Sequence, residues 1–215
     1  MALPRWRDVI AYEEHEATCR AALQTIYPRF GLHPFLQELV KQVSSDGMGV
    51  WPFASRAAAL AAQKHCQRKS PQSSLRLLDQ HKISCLCTDA AANAHAKAFW
   101  QHTGLGASSR QAAIALGREE APSSDQGEKA RRIVRQRLAE IHHCPEEHIS
   151  LVPAGMAALH AGLEAVQTLR PGRPTLQLGF PYVDVLKQPQ VVFHGSELLR
   201  STDLGDIVAT LDRLD

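Results

Sequence analysis

Long hydrophobic runs are missing from this sequence of 215 residues. The longest apolar stretches, such as residues 57–62, fall far short of the roughly 20 residues that a membrane-spanning helix needs. The first residues also lack the apolar segment of a secretory signal peptide. We therefore expect a cytoplasmic protein with no membrane partner.

An excess of either charge is also missing. The chain has 24 Lys and Arg residues against 22 Asp and Glu residues, a net charge of +2, and its basic residues are scattered. Binding to a phosphate backbone needs a concentrated basic surface. The sequence therefore argues against a nucleic acid as the main partner. We interpret the arginines of residues 131–137 as the solvated face of a helix, which is the commoner meaning of such a run.

The cysteines and histidines do not form a metal-binding pattern. The five cysteines are an odd number, and only Cys85 and Cys87 lie close together. One Cys-x-Cys pair does not supply the ligand spacing of a zinc site. Strand-like alternation places both thiols on one face, so we expect buried structural cysteines. His142, His143 and His148 have no acidic or Cys partner at helical spacing, and surface histidines are the expected interpretation.

The first 120 residues are predicted to form a mostly helical N-terminal region. Pro34 suits the first turn of a helix, Ser55 suits the N-cap of an alanine-rich helix through about Gln67, and Asp89 suits the N-cap of another. Residues 67–74 are predicted to be a loop. The run 82–87 is the only good strand candidate in this region.

Residues 121–215 have a different pattern, which predicts an incomplete α/β domain. After a break at 117–128, Ala130, Ile133, Val134, Leu138 and Ile141 make the apolar stripe of a helix. Strands are then predicted at 148–153, 174–179 and 190–194, with helices at 155–169 and after Tyr182. Strands that alternate with helices indicate βαβ units and a parallel sheet. The predicted fold class is α/β.

Gly155 stands at a predicted strand-to-helix junction. The first N–H groups of a helix have no partner within it and lie at the positive end of its dipole, so they form an anion site. A glycine there lets a phosphate approach the backbone closely. Taken alone, the same pattern is also that of a simple tight turn.

Several segments, in order along nearly the whole chain, resemble the fungal cystathionine γ-synthases. This family comprises pyridoxal-phosphate-dependent enzymes of fold type I that act in Cys/Met metabolism. The residues that carry the resemblance are 3–6, 11–14, 27–30 with His33, 99–110, 155–158 and 178–187. The resemblance covers only the N-terminal part of such an enzyme. It implies that residues 121–215 are the first part of a type I transferase domain.

The resemblance also implies residues that bind the cofactor, pyridoxal 5'-phosphate. Gly155 and Met156 match the pair whose backbone amides hold the phosphate, and Tyr182 matches the aromatic residue that stacks on the pyridine ring. Arg110 is our choice for the arginine that reaches the phosphate of a neighbouring subunit. Ser108 stands where the family's tyrosine is expected.

Alternatives remain open for these residues. Tyr27 and Arg29 preserve a Tyr-x-Arg pattern and are the rival to Arg110. They also suit a structural pair that links the N-terminal extension to the main body. Tyr182 also suits simple packing beside Pro181.

A complete relative makes cystathionine from an activated homoserine by γ-replacement, as a homo-oligomer acting on small amino-acid substrates. In the family, the lysine that forms a Schiff base with the cofactor comes well after the stacking tyrosine, whereas only 33 residues follow Tyr182. Lys187 is not its counterpart. We therefore expect no catalytic residue here and an inactive chain when it is alone. The alternatives are a pyridoxal-phosphate-dependent C–S lyase and a non-catalytic partner subunit.

Overall fold

The computed structural model describes residues 5–23, 25, 31–44, 47–80 and 83–214. Its helices are α1 (Trp6–Glu13), α2 (Ala17–Ala22), α3 (Pro34–Val43), α4 (Arg56–Lys69), α5 (Ala90–Thr103), α6 (Ser109–Ala115), α7 (Ser124–His142), α8 (Gly155–Leu169), α9 (Val183–Val192) and α10 (Leu204–Leu214). The strands are β1 (Gly49–Phe53), β2 (Leu75–Gln80), β3 (Ile83–Thr88), β4 (Thr175–Leu178) and β5 (Ser196–Leu199). The chain is an α/β protein, as predicted.

A three-stranded antiparallel sheet organises the N-terminal half. Its order is β1-β3-β2, with Val50 opposite Cys87 and Leu78 opposite Cys85. Every residue of the central strand β3 is buried, because α4 and α5 cover one face of the sheet while α3 and α6 cover the other. Cys85 and Cys87 lie in the core on one face, so the prediction of buried structural cysteines is confirmed.

The strand predicted near 82–87 corresponds to β3, whereas β1 and β2 were not predicted. The expectation that this region has a single strand was therefore wrong. Both β1 and β2 are edge strands, since β3 is the one described strand that each of them pairs with. The end of β1 also has an isolated bridge from Phe53 to Gly106. An edge strand tolerates proline, and Pro52 lies within β1. A strand at the edge of a sheet is also less buried than a central strand, so its sequence lacks the continuous apolar run by which a buried strand is recognised. The helices at 34, 55 and 89 are confirmed.

The helix caps in this half follow from ordinary side-chain chemistry. The Ser55 hydroxyl accepts a hydrogen bond from the Ala58 N–H at 3.2 Å, and the Asp89 carboxylate accepts one from the Ala92 N–H at 3.0 Å. Each bond satisfies an N–H group that has no partner within the helix. The predicted loop at 67–74 begins later than expected, because α4 continues to Lys69.

In the C-terminal half, β4 and β5 form a parallel pair connected by α9, with Leu176 opposite Glu197. A parallel β-α-β unit is therefore present, as predicted, and the helices at 155–169 and after Tyr182 are confirmed.

The strands predicted at 148–153 and 190–194 were wrong. Residues 146–148 form a short 3-10 helix, and no described strand lies beside 148–153 to pair with it. Residues 190–192 are instead the last turn of α9, where Val192 packs into the core between α4 and α5. The β-branched pair Val191-Val192 suggested a strand, but tertiary burial favours the helix. The strand follows at Ser196.

Two helices expose their apolar faces. In α7, Ile133 and Ile141 are 57% and 68% exposed, and in α10 Leu204 is 73% exposed. No residue of either helix is buried. We call these the uncovered faces. Arg131, Arg132 and Arg137 of α7 are exposed as expected, whereas Arg135 is half-buried and pairs with Glu146.

Candidate functional site

The N-terminus of α8 carries unpaired backbone donors. The preceding residue, Ala154, has no side chain that could cap the helix, and the first hydrogen bond of the helix runs from the Ala158 N–H to the Ala154 carbonyl at 3.0 Å. Gly155 is exposed, and a Cβ added to it would meet no atom within 4 Å. No neighbouring atom of the described structure therefore requires a glycine at position 155, and the space beside the Gly155 backbone is open.

Gly104 sets the position of this helix end. It ends α5 in the left-handed region with φ of 70°. A Cβ on Gly104 would lie 2.7 Å from the Ala157 nitrogen and 3.0 Å from the Met156 Cβ. The C-terminus of α5 thus lies directly against the first turn of α8, where the two helix dipoles attract each other.

Gln188 ties α9 to both of these helices. It is fully buried, and its amide donates to the His102 carbonyl at 2.7 Å and is 3.3 Å from the Met156 carbonyl. Both carbonyls accept hydrogen bonds from one buried side-chain amide, so the end of α5, the start of α8 and the middle of α9 are held together.

A buried histidine–carboxylate pair supports the same junction. His102 Nδ1 lies 3.3 Å from Asp184 Oδ1, and both side chains are buried. Asp184 occupies the first turn of α9, where a negative charge is favoured by the helix dipole. The pair therefore fixes the beginning of α9 against α5.

Tyr182 is the residue that immediately precedes α9, and its side chain is 54% exposed. The helices α8 and α9 run in the same direction, because Met156 meets Gln188 while His160 meets Phe193, with ring centroids 5.3 Å apart. Tyr182 precedes Gln188 by six residues, which is about 9 Å along a helix axis. It therefore lies on the side toward which the free N–H groups of α8 point.

The other predicted site residues lie apart from this junction. Arg110 is in the first turn of α6, which packs against α3 and β3. It is exposed and forms no hydrogen bond or ion pair within the described residues. Ser108 caps α6 through the Gln111 N–H at 3.1 Å. Tyr27 and Arg29 lie outside the described residues.

Sequence reasoning missed Gly104, His102, Asp184 and Gln188. Gly104 had a signal, since a glycine that follows a helical pattern is typical of a helix C-cap. Asp184 and Gln188 are spaced i, i+4, which places them on one face, but no sequence pattern marks that face as buried.

Comparison with known proteins was informative for the N-terminal half. Residues 32–108 match a family described as the fungal trans-sulfuration enzyme, N-terminal domain. The resemblance is confirmed for this segment. The match comprises α3, the three-stranded sheet, α4 and α5, whereas Gly155, Met156, Tyr182 and Arg110 lie after it.

A Saccharomyces cerevisiae protein named "Putative cystathionine gamma-synthase" is 26% identical over 138 residues. The similarity covers 54% of this chain, and the chain spans about a fifth of the yeast protein, 21% of its length. No solved structure matches. None of the described helices is long and apolar enough to cross a membrane. A search of the same residues found no cluster of three potential metal ligands.

Proposed function

We propose that the chain is part of a pyridoxal-phosphate-dependent trans-sulfuration enzyme of the cystathionine γ-synthase type. The family match supports trans-sulfuration, and the open N-terminus of α8 is the observation that supports a cofactor site. The proposed domain division is that residues 1–120 are the N-terminal region and residues 121–215 the beginning of the cofactor domain, of the type I fold.

The residues present fit such a cofactor. A phosphate needs unpaired N–H groups and free space, and Gly155 offers both, since nothing lies within 4 Å of the Cβ it lacks. A flat ring needs an accessible aromatic face, and half of Tyr182 is exposed. Gly155 and Met156 would hold the phosphate, and Tyr182 would cover the ring.

The other residues act through these three. Gly104 and Gln188 position the first turn of α8, and the His102–Asp184 pair positions the start of α9. Arg110, or Arg29 as its rival, would supply a guanidinium to the phosphate held by a second subunit of a homo-oligomer. Pyridoxal phosphate, when bound, supplies an electron sink for the substrate amino acid.

The proposed reaction is trans-sulfuration, and within it a specific γ-replacement. Trans-sulfuration is the coarser description that the matched family carries. Within it, we propose γ-replacement on an activated homoserine, because the yeast relative is named for that synthase. The alternative reaction is elimination at a C–S bond. Cleavage of cystathionine, offered as the substrate in an assay, would support this alternative.

The phosphate site is tested by titrating pyridoxal phosphate and inorganic phosphate separately into the chain. Without a covalent bond to the protein, we expect micromolar or weaker affinity, about −8 kcal/mol at best. Gly155→Val should abolish the binding of both ligands, because a branched side chain fills the space in front of the N–H groups. Tyr182→Ala should weaken only pyridoxal phosphate, because inorganic phosphate has no ring.

Gly162→Val, within the same helix, is the matched control. Gly162 is also exposed, and a Cβ there also meets nothing within 4 Å, so the change has a similar effect on the helix but lies away from its N-terminus. Equal binding of pyridoxal phosphate by the wild type and Gly155→Val would remove the assignment of the site.

A further inference from the structure

A second cavity lies at the other ends of the same helices. It is bounded by α4, α8 and the C-terminal end of α9, and its volume is about 750 Å³. Small-molecule sites typically have volumes of roughly 300–1,000 Å³. We call it the α4–α8 cavity. Gly155 and Tyr182 do not line it.

Aromatic rings form one wall of the α4–α8 cavity. Phe99, His160 and Phe193 line it in a row, with ring centroids 5.6 Å apart for Phe99–His160 and 5.3 Å for His160–Phe193. Leu60 on α4 adds an apolar side chain. Phe99 and His160 are almost fully buried beneath this wall, so Phe193 is the ring that a flat ligand can reach.

Two polar atoms of this wall are buried without a partner. His160 is only 5% exposed, and its Nδ1 has no hydrogen-bond partner among the described residues. The same holds for Oε1 of Gln167, two helical turns further along α8. Each unpaired buried polar atom costs about 1–3 kcal/mol. Neither atom has accessible surface in this conformation, so a ligand would pair with it only after the side chain turns toward the cavity.

Cations also line the cavity. Lys64, Arg68 and Lys69 line the cavity from the last two turns of α4. None of the three forms an ion pair with any described residue. Glu164 is the single carboxylate among the lining residues, so positive charge predominates. Such a wall attracts an anion.

We propose that the α4–α8 cavity binds a ring-bearing organic anion of about nucleotide size. The ring packs against Phe193 and Leu60, and the anionic group lies among Lys64, Arg68 and Lys69. This site is separate from the proposed cofactor site, because Gly155, Met156 and Tyr182 do not line it.

Adenosine monophosphate is the probe, with adenosine and inorganic phosphate as its two halves. Calorimetric titration of the Gly155→Val chain, in which the proposed phosphate site of α8 is blocked, should give a submillimolar Kd for the nucleotide and at least tenfold weaker binding of each half. Indole-3-acetate tests whether a carboxylate replaces the phosphate. The ¹⁵N resonances of the His160 ring should shift on binding.

Charge reversal separates the site from general attraction. Lys64→Glu and Arg68→Glu, made separately, should each weaken nucleotide binding about tenfold, because both side chains are exposed and each change leaves the core intact. Lys97→Glu, the same charge change at an exposed α5 position outside the cavity, should leave binding unchanged. Circular dichroism checks the fold of each variant. No binding at millimolar nucleotide, equal binding of adenosine, or an equal loss in Lys97→Glu would overturn the proposal.

Discussion

Gly104 illustrates how one residue positions a proposed site. Its φ is 70°, and an added Cβ would lie 2.7 Å from a backbone nitrogen of α8. Gly104→Ala should therefore lower the free energy of unfolding through two effects. The left-handed conformation costs about 1–2 kcal/mol, and the steric overlap adds a further cost of about 1–3 kcal/mol. Urea unfolding measures the sum.

Gly117→Ala is the matched control for this prediction. Gly117 has nearly the same φ, 69°, but a Cβ there would meet nothing within 4 Å. It should show only the conformational part of the loss. Equal losses in the two variants would mean that α5 and α8 do not meet as closely as described.

His65 is a buried histidine whose titration should be visible in stability. Burial, aided by the charges of Arg68 and Lys69, lowers its pKa from 6.5 to about 4. Between these values the unfolded chain binds a proton that the folded chain does not, so the free energy of unfolding falls as pH drops from about 6.5 to about 4. The expected loss is below about 3 kcal/mol.

Unfolding curves across this pH range test the His65 prediction. His65→Leu should reduce the dependence, and the remainder is expected from His160, whose pKa is also lowered by burial. The same change at the exposed His148 should not reduce it. The carboxyl groups of Asp79 and Asp89 titrate lower, since hydrogen bonds from Ser84 and from the Ser74 N–H depress their pKa values, so they act in a separate window. A slope that is the same in His65→Leu as in the wild type would contradict the assignment.

At the scale of elements, α9 depends on a single polar side chain. Gln188→Leu keeps a similar volume but removes the side-chain donor to the Met156 carbonyl and to the His102 carbonyl, which lies at the end of α5 and has no donor within that helix. We expect a loss of about 1–3 kcal/mol and weaker pyridoxal phosphate binding, because α9 then no longer fixes Tyr182. Gln190→Leu, at an exposed position of the same helix, is the control for both readouts. A Gln188→Leu protein with unchanged stability would show that the contact is not important.

A helix cap provides a second test at this scale. Ser55→Ala removes the acceptor for the Ala58 N–H and should cost about 1 kcal/mol in thermal or urea unfolding. Ser55→Asp retains an acceptor and should keep most of the stability. If both variants lose the same amount, the cap does not stabilise α4.

At the scale of the whole molecule, the uncovered faces of α7 and α10 are the dominant feature. Exposed apolar patches favour association, and β4 and β5 form only a two-stranded sheet with unpaired edges. The isolated chain should therefore self-associate or be marginally stable. Light scattering after size exclusion measures this, and a clean monomer with a sharp, reversible thermal transition would contradict it.

Charged substitutions identify which surface is responsible. Ile141→Lys on α7 and Leu211→Lys on α10 should reduce association without loss of stability, because neither side chain is buried. Leu60→Lys on α4, also partly exposed but outside both faces, should have no such effect.

The local signals that the sequence contains are strong enough to fix much of the structure. Ser55 and Asp89 predicted their helix starts, and the alternation around Cys85 and Cys87 predicted a buried strand, because caps and alternation depend on neighbouring residues only. The ordered segments predicted the trans-sulfuration resemblance, now confirmed at 32–108. The roles of Gly155, Met156, Tyr182 and Arg110 stay predictions.

Only the tertiary structure decided the rest. Whether Val191-Val192 forms a strand or a helix depends on what covers it, and the core beside α4 and α5 favours the helix. The edge strands β1 and β2 exist because β3 lies between them. The junction of Gly104, His102, Asp184 and Gln188 joins residues as many as 86 positions apart. Sequence patterns specify local conformation, whereas such contacts arise only when distant helices pack together.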